Sequence, residues 1–328
     1  MQILSTERTV EVDMCTSVAI NRGDFYFGRN MDIEGALGDG VVITPRSFPL
    51  RFRREMPSLS HYAMIGSAVM ADGYPLYADG MNEKGLAVAG LNFPYNAYYD
   101  KTAEKEKAQI APFEFIPWVL SRCANVREAK VLLQDAEIVS EPFSDAFPMT
   151  PLHWHIADGT GSLTVEPMKD GLRVYENPVG VLTNNPPFPR QLDQLGKYGN
   201  LSNTCERGRT EDSAFSFGLG GVGLPGDYSS SSRFVKAAVM RKWMVLDGAE
   251  REEVCGFFSL LGSVAPPRGC VLNEAGRPHF TVYACCMNAA RSAYYKRCAK
   301  DGKIRKFELT QSLCDGTVPL APIAEENF

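Results

Sequence analysis

The chain has 328 residues, of which 45% are hydrophobic, 22% charged and 10% aromatic, the make-up of a folded domain rather than a disordered or collagen-like chain. Its 34 Lys and Arg against 39 Asp and Glu give a formal charge of −5 without a basic run, so a long phosphate backbone would be repelled and nucleic acid is not an expected partner. The first eight residues lack the basic start and apolar stretch of a secretory signal, and no window is long and apolar enough to cross a bilayer; a cytoplasmic protein with no membrane partner is expected.

From Cys15 to Leu91 short apolar runs such as Thr16–Ile20, Val41–Thr44 and Leu86–Leu91 alternate with Gly, Pro and Asp, which predicts strands. Pro112–Leu120, with an early Pro and a dense apolar face, predicts a buried helix, and a second follows at Val126–Leu133. Strands return at Leu152–Ile156 and Ser162–Glu166, joined by the turn Asp158-Gly159-Thr160-Gly161. Ser229–Ser232 offer N-caps for a helix running through Phe234, Ala237, Ala238 and Trp243. Val254, Phe257, Phe258 and Leu261 share one face of another. Strands near Thr281–Tyr283 and Ser292–Tyr295 close the chain, and the tail beyond about Asp301 is uninformative. Helices set among mainly antiparallel strands, with no repeat or linker between them, predict one domain of α+β class.

Nine cysteines (Cys15, Cys123, Cys205, Cys255, Cys270, Cys285, Cys286, Cys298 and Cys314) are odd in number and lack CxxC or zinc-finger spacing, which suggests a reducing compartment. The Cys285-Cys286 pair reads as strand filling. Four histidines, His61, His153, His155 and His279, are the only imidazoles, and none lies in a familiar nucleophile motif. His153 and His155 would share a strand face, but no third residue has metal-ligand spacing, so no metal is assigned.

Met14-Cys15-Thr16-Ser17 and Phe27-Gly28-Arg29-Asn30-Met31-Asp32 open a series that continues through Ala78–Leu86, Ala89–Pro94, Leu152-His153-Trp154, Val181–Pro186, Gly223–Asp227 and Ser232-Arg233-Phe234. Over Cys15 to about Tyr295 the series resembles, in order, the choloylglycine hydrolase family, the branch of the N-terminal-nucleophile hydrolases that includes bile salt hydrolases and penicillin V acylases. The resemblance implies a four-layer αββα sandwich with two mainly antiparallel sheets. It also implies a small-molecule amide substrate, no cofactor and often a homotetramer. Cleavage of glycine- or taurine-conjugated bile acids is the leading activity, since Asn92 stands where many penicillin V acylases carry Tyr; penicillin V acylase activity is the near alternative. A noncatalytic binding protein or a metal or redox protein is the reading from another class.

The chemistry of these residues is coherent. A free α-amine has a reference pKa of about 7.7–8.0, so an N-terminal cysteine carries its own base and needs no histidine. By resemblance Cys15 is the nucleophile, Arg29 the fixed cation beside it and Asp32 the group that holds its amine. Asn92 and Asn184 stabilise the oxyanion, and Arg233 organises the charged network. Met31, Phe143 and Phe147 align with pocket residues. Without the family pattern, an Arg29–Asp32 ion pair, turn chemistry for the asparagines and core packing for the apolar residues would be the plainer accounts. The glycine-rich Phe217–Leu224 could shape the end of the site that receives the amino acid. Because fourteen residues precede Cys15, residues 1–14 are expected to be a leader, a propeptide or an upstream mis-start absent from the active form, with 15–328 a single domain.

Overall fold

A computed structural model describes residues 14–35, 38–100, 106–204, 218–324 and 328. The expectation for residues 1–14 therefore lies outside the described residues except for Met14, as do Cys205 and Phe217. The first half of the chain gives strands β1 (Met14–Arg22), β2 (Asp24–Ile33), β3 (Gly40–Thr44), β4 (Met64–Ala71), β5 (Tyr74–Tyr77), β6 (Asp79–Asn82), β7 (Ala87–Asn92) and β8 (Ala108–Ile110). Helices α1 (Phe115–Arg122) and α2 (Val126–Leu132) follow, then β9 (Ala136–Ile138), β10 (Leu152–Asp158), β11 (Gly161–Met168), β12 (Gly171–Glu176) and β13 (Val181–Leu182). The second half adds α3 (Phe188–Gly196), α4 (Ser230–Trp243), α5 (Glu250–Ser263), β14 (Val271–Leu272), β15 (Pro278–Asn288), β16 (Ala293–Cys298), β17 (Ile304–Glu308) and α6 (Gln311–Cys314).

Two antiparallel sheets result, one in the order β13-β1-β2-β15-β16-β17 and the other β12-β11-β10-β7-β6-β4-β3. Helices α4 and α5 lie on the first sheet, α1 and α2 on the second, and β1 and β2 meet β7 and β10 where the sheets face each other. This is the expected αββα stack. Its apolar sequence periods explain it: Phe234, Ala237 and Ala238 of α4, and Val254, Phe257, Phe258 and Leu261 of α5, are buried in the core shared with β1, β2 and β15. A second cluster joins α1 to the far sheet, where Phe115 stacks on Trp154 with ring centroids 4.0 Å apart.

Local signals set the boundaries. Pro112 opens a short 3-10 turn before α1, Asn125 caps α2 by accepting the Glu128 N–H at 3.0 Å, and Ser229 caps α4 through the Ser232 N–H. The β10–β11 hairpin turns at Gly159 and Thr160, with Asp158 Oδ1 accepting the Thr160 N–H at 2.6 Å. The tail departs from expectation, because β17 extends the first sheet and Leu320 bridges to Ile43. Ile304–Glu308 lies at the sheet edge, half-buried and charge-rich, so it shows no apolar alternation. Helix α3 was likewise not signalled: it starts after Pro187 and buries only Phe188 and Gln191.

The hairpin β1–β2 is the centre of the first sheet, and Gly28 lets it sit there. A Cβ at Gly28 would lie 2.0 Å from Cys285 O and 2.8 Å from the Phe257 ring, so β15 and α5 close over a bare backbone. Gly28→Ala is expected to cost about 2 kcal/mol or more through overpacking. A lowered unfolding midpoint in urea checks this, and unchanged stability would show that the two elements can separate freely.

Candidate active site

Strand pairing brings the first four site residues together. Cys15 lies opposite Met31 and Ser17 opposite Arg29, so the side chains of Cys15, Arg29 and Met31 share the face turned to the second sheet. Cys15 is 2% exposed and Arg29 fully buried. The Arg29 guanidinium donates to Cys15 Sγ at 2.6 Å, to Gly90 O at 2.6 Å and to Ala78 O at 3.2 Å, while its Nε reaches Asn30 O at 3.2 Å. Burial pulls this cation's pKa down, but Cys15, Tyr283, Asp79 and Cys285 outweigh burial and raise it, so it stays charged. Met31 Sδ lies 3.4 Å from Arg29 Nη2.

Asp32 is three residues beyond Arg29 and therefore turns to the other face, which rules out the plain ion pair between them. It pairs across the strand with Met14 and accepts Thr281 Oγ1–H at 2.5 Å, and its Oδ2 has no hydrogen-bond partner. Burial pushes its carboxyl up to about 6, against the pull of Arg233, Thr281 and Arg29.

Arg233 comes to that same face from the first turn of α4, where the helix dipole disfavours a cation. Four acceptors offset this: Cys15 O at 2.5 Å, Thr16 Oγ1 and Asn184 Oδ1 at 2.7 Å, and Tyr228 O at 3.0 Å. Burial lowers its pKa, opposed by Asp32 and Cys15. Asn184 Oδ1 also accepts the Cys15 N–H at 2.9 Å, and Asn184 Nδ2 donates to Asn92 O at 2.7 Å. One buried network thus holds Cys15 at its nitrogen, carbonyl and sulfur.

Three supports were not legible in the sequence. Ser230, read only as a possible cap, donates its Oγ–H to Thr183 Oγ1 at 2.9 Å and accepts the Asn184 N–H at 2.9 Å. Gln191 of the unsignalled α3 donates to Asn184 O at 3.3 Å and Asn185 O at 3.2 Å. Thr281, read as strand filling, holds Asp32. Asp227 accepts from Ser229 N at 2.9 Å and Ser232 Oγ at 2.6 Å, which fixes the start of α4.

Phe143 and Phe147 line a cavity of about 280 Å³ with Leu76, Phe113 and Met149. Ala78, whose carbonyl receives Arg29, and Leu152, paired with Asn92, also line it, so it adjoins the network. Met31 is not among its lining residues. The described part of the glycine-rich segment is not among its lining residues either and packs on the chain before it: Gly220 O accepts Ser202 N–H, and a Cβ at Gly220 would lie 2.2 Å from Ser202 O and 2.3 Å from Thr204 O. His153 bonds Thr183 O at 2.8 Å and His155 bonds Ser17 Oγ at 2.8 Å; burial, then Arg241 and His153, push the His155 pKa down to about 3. Among the described residues no group of three or more metal-ligating side chains forms. Cys285 and Cys286 are buried in β15, whereas Cys255 and Cys270 are exposed.

Two facing antiparallel sheets between helical layers, with a buried cysteine near the start of β1 beside an arginine of β2, define an N-terminal-nucleophile hydrolase fold. The sequence profile of "linear amide C-N hydrolases, choloylglycine hydrolase family" matches residues 15–321. The chain is 42% identical to the bile salt hydrolase/transferase of Lactiplantibacillus plantarum over 308 residues, 93% of this chain and 95% of that protein. It is 36% identical to the conjugated bile acid hydrolase of Lactobacillus gasseri, over 90% of this chain and 96% of that one. A solved mutant of the conjugated bile acid hydrolase of Clostridium perfringens superposes with a TM-score of 0.86 at 34% identity, covering 95% and 98% of the two chains. Penicillin V acylase of Agrobacterium tumefaciens shares the fold, with a TM-score of 0.74 at 21% identity. The chain belongs to the choloylglycine hydrolase family and is a linear amide hydrolase.

The Asp32 shift has a consequence for folding. The folded chain holds this proton more tightly than the unfolded one, so the group's contribution is most favourable below its ordinary value of 3.8 and is lost as pH rises through about 6. Asp32→Asn should raise stability at pH 7 by on the order of 1–3 kcal/mol and flatten the decline between about pH 4 and 6. Urea unfolding of both forms across that range measures it, and an equal or lower neutral-pH stability of the variant contradicts it.

Proposed function

We propose that the chain hydrolyses the amide joining a bile acid to glycine or taurine, with Cys15 as an N-terminal nucleophile. The observation that carries this reading is the buried 2.6 Å contact between Arg29 Nη2 and Cys15 Sγ, beside an apolar cavity. The bile-acid activities of the relatives at 36–42% identity support the substrate. The match of the family profile from residue 15 supports Cys15 as the first residue of the active form.

In this mechanism the Met14–Cys15 bond is first broken, which frees the α-amine. That amine takes the thiol proton, directly or through water, and Arg29 favours the resulting thiolate by its adjacent charge. Asn184 Oδ1 and the unpartnered Asp32 Oδ2 hold the amine in place. The sulfur attacks the amide carbonyl, and the Asn92 side-chain amide together with an N–H of Asn184 stabilises the oxyanion. The C–N bond breaks as the ammonium returns its proton to the leaving nitrogen, which departs as glycine or taurine. Water, deprotonated by the same amine, then attacks the thioester; the bile acid leaves and the thiol and free amine are restored. Phe143 and Phe147 bind the steroid, with Met31 at its inner end. Cytoplasmic residence and a homotetramer belong to the same proposal, the latter tested by a light-scattering mass four times that of one chain.

Intact mass and N-terminal sequencing of active protein should show Cys15 first. A form that retains Met14 should be slower by about a hundredfold or more, since its base is tied up in a peptide bond. Full activity in that form would end the mechanism. With a verified N-terminus, taurocholate and glycocholate should both be cleaved with higher kcat/KM than penicillin V, and Cys15→Ser should remove the activity. The reverse preference would make penicillin V acylase the better assignment.

A further inference from the structure

The wall of the cavity is held from outside by two consecutive arginines. Residues 140–151, which carry Phe143, Phe147 and Met149, form no strand or helix. Their backbone bonds lie mainly at the two ends: Ser140 N–H reaches Asp100 O at 2.8 Å, Glu141 N–H reaches Val139 O at 2.9 Å, Phe93 N–H reaches Pro151 O at 2.7 Å and the Tyr99 hydroxyl donates to Thr150 O at 2.7 Å, while between them Ser144 and Phe147 exchange a single pair at 3.1 and 3.3 Å. Arg53 Nη2 donates to Phe143 O at 2.7 Å, and its guanidinium carbon lies 5.6 Å from the Phe143 ring centre and 5.8 Å from that of Phe113. Arg54 Nε lies 2.8 Å from Glu141 Oε2, and its Nη1 donates to Gln109 Oε1 at 3.1 Å.

The base of this arrangement is rigid. Arg53 N–H donates to Glu114 Oε1 at 2.6 Å, and the other oxygen of this fully buried carboxyl accepts the Ala111 N–H at 3.1 Å. Glu114 directly follows Phe113, whose ring meets Phe143 edge-on at 5.2 Å; Phe143 in turn meets Phe147 at 6.1 Å. Backbone and side chain of Arg53 therefore tie the start of the wall to the turn before α1.

We propose that Arg53 and Arg54 form a clasp that fixes the Phe143–Met149 wall and so determines the enzyme's specificity for bulky, polycyclic acyl groups. This rests on the amide-hydrolase reading, with the cavity as the acyl site. A wall already ordered before binding spares the ligand the loss of loop and side-chain freedom that binding otherwise demands. A steroid acyl group spans the cavity and leans on Phe143 and Phe147, whereas a small acyl group uses only the inner part. The clasp therefore acts on KM for the large group and leaves kcat alone, because Cys15 and Arg29 stand on paired strands. The Arg54–Glu141 pair, with side chains 40% and 29% exposed, is the salt-sensitive half.

The test compares wild type with Arg53→Met and Arg54→Met in two readouts, steady-state kinetics and calorimetric binding of cholate, the unhydrolysable product acid. Arg53→Met should raise KM for taurocholate and Kd for cholate by about fivefold or more, with kcat and the KM for penicillin V within about twofold. Arg54→Met should give a smaller rise that shrinks in high salt. Faster amide hydrogen exchange over residues 141–149 should accompany both. An unchanged cholate Kd in Arg53→Met, an equal fall in kcat on both substrates, or no cholate binding by wild type overturns the clasp. Wild type that binds cholate but cleaves no amide removes the hydrolase reading instead, and the Kd comparison still decides the clasp.

Discussion

A guanidinium sealed between two sheets against a sulfur atom is the constraint around which the molecule is arranged. A buried cation is tolerated only when its donors find acceptors and an opposite charge can form nearby. Arg29 meets the first demand with the carbonyls of Gly90, Ala78 and Asn30, and the second with Cys15. Both need β2 to face β6 and β7 in one register. A shift by a single residue would turn Arg29 to the helical side and remove the Gly90 and Ala78 carbonyls from its reach.

That register also explains why two arginines serve one cysteine without repelling each other. Arg29 approaches from the inter-sheet side and Arg233 from the helical side, and the backbone of β1 lies between them. Asp32 shares the Arg233 side, where its charge opposes the lowering of that cation's pKa by burial. The position of Arg233 in the first turn of α4 is unfavourable by helix electrostatics alone. It persists because Cys15 O, Thr16 Oγ1 and Asn184 Oδ1 lie within reach, a tertiary compensation that no local rule contains.

What could be read beforehand follows from what leaves a local trace. An early Pro with an apolar face, serine caps and apolar period revealed α1, α4 and α5, and turn residues the β10–β11 hairpin, since each is set by neighbours a few positions away. Motif resemblance supplied the identity of Cys15, Arg29, Asp32, Asn92, Asn184 and Arg233, which the fold gathers from five separate stretches. The supports were hidden for the opposite reason. Ser230 and Thr281 act through partners tens to hundreds of positions distant, Gln191 acts across a turn into a helix that the sequence does not signal, and all three are of residue types that occur everywhere on helices and strands. Helix α3 buries too little, and β17 is too polar, to stand out.

The distribution of thiols has a practical side. Cys15 is enclosed in the core, whereas Cys255 and Cys270 face solvent. Oxidation in air can cross-link molecules through the latter pair without involving the enclosed sulfur. Among the described residues these are the two thiols that a bulky maleimide dye meets first, and a gel band at twice the mass says nothing about whether the centre has been damaged.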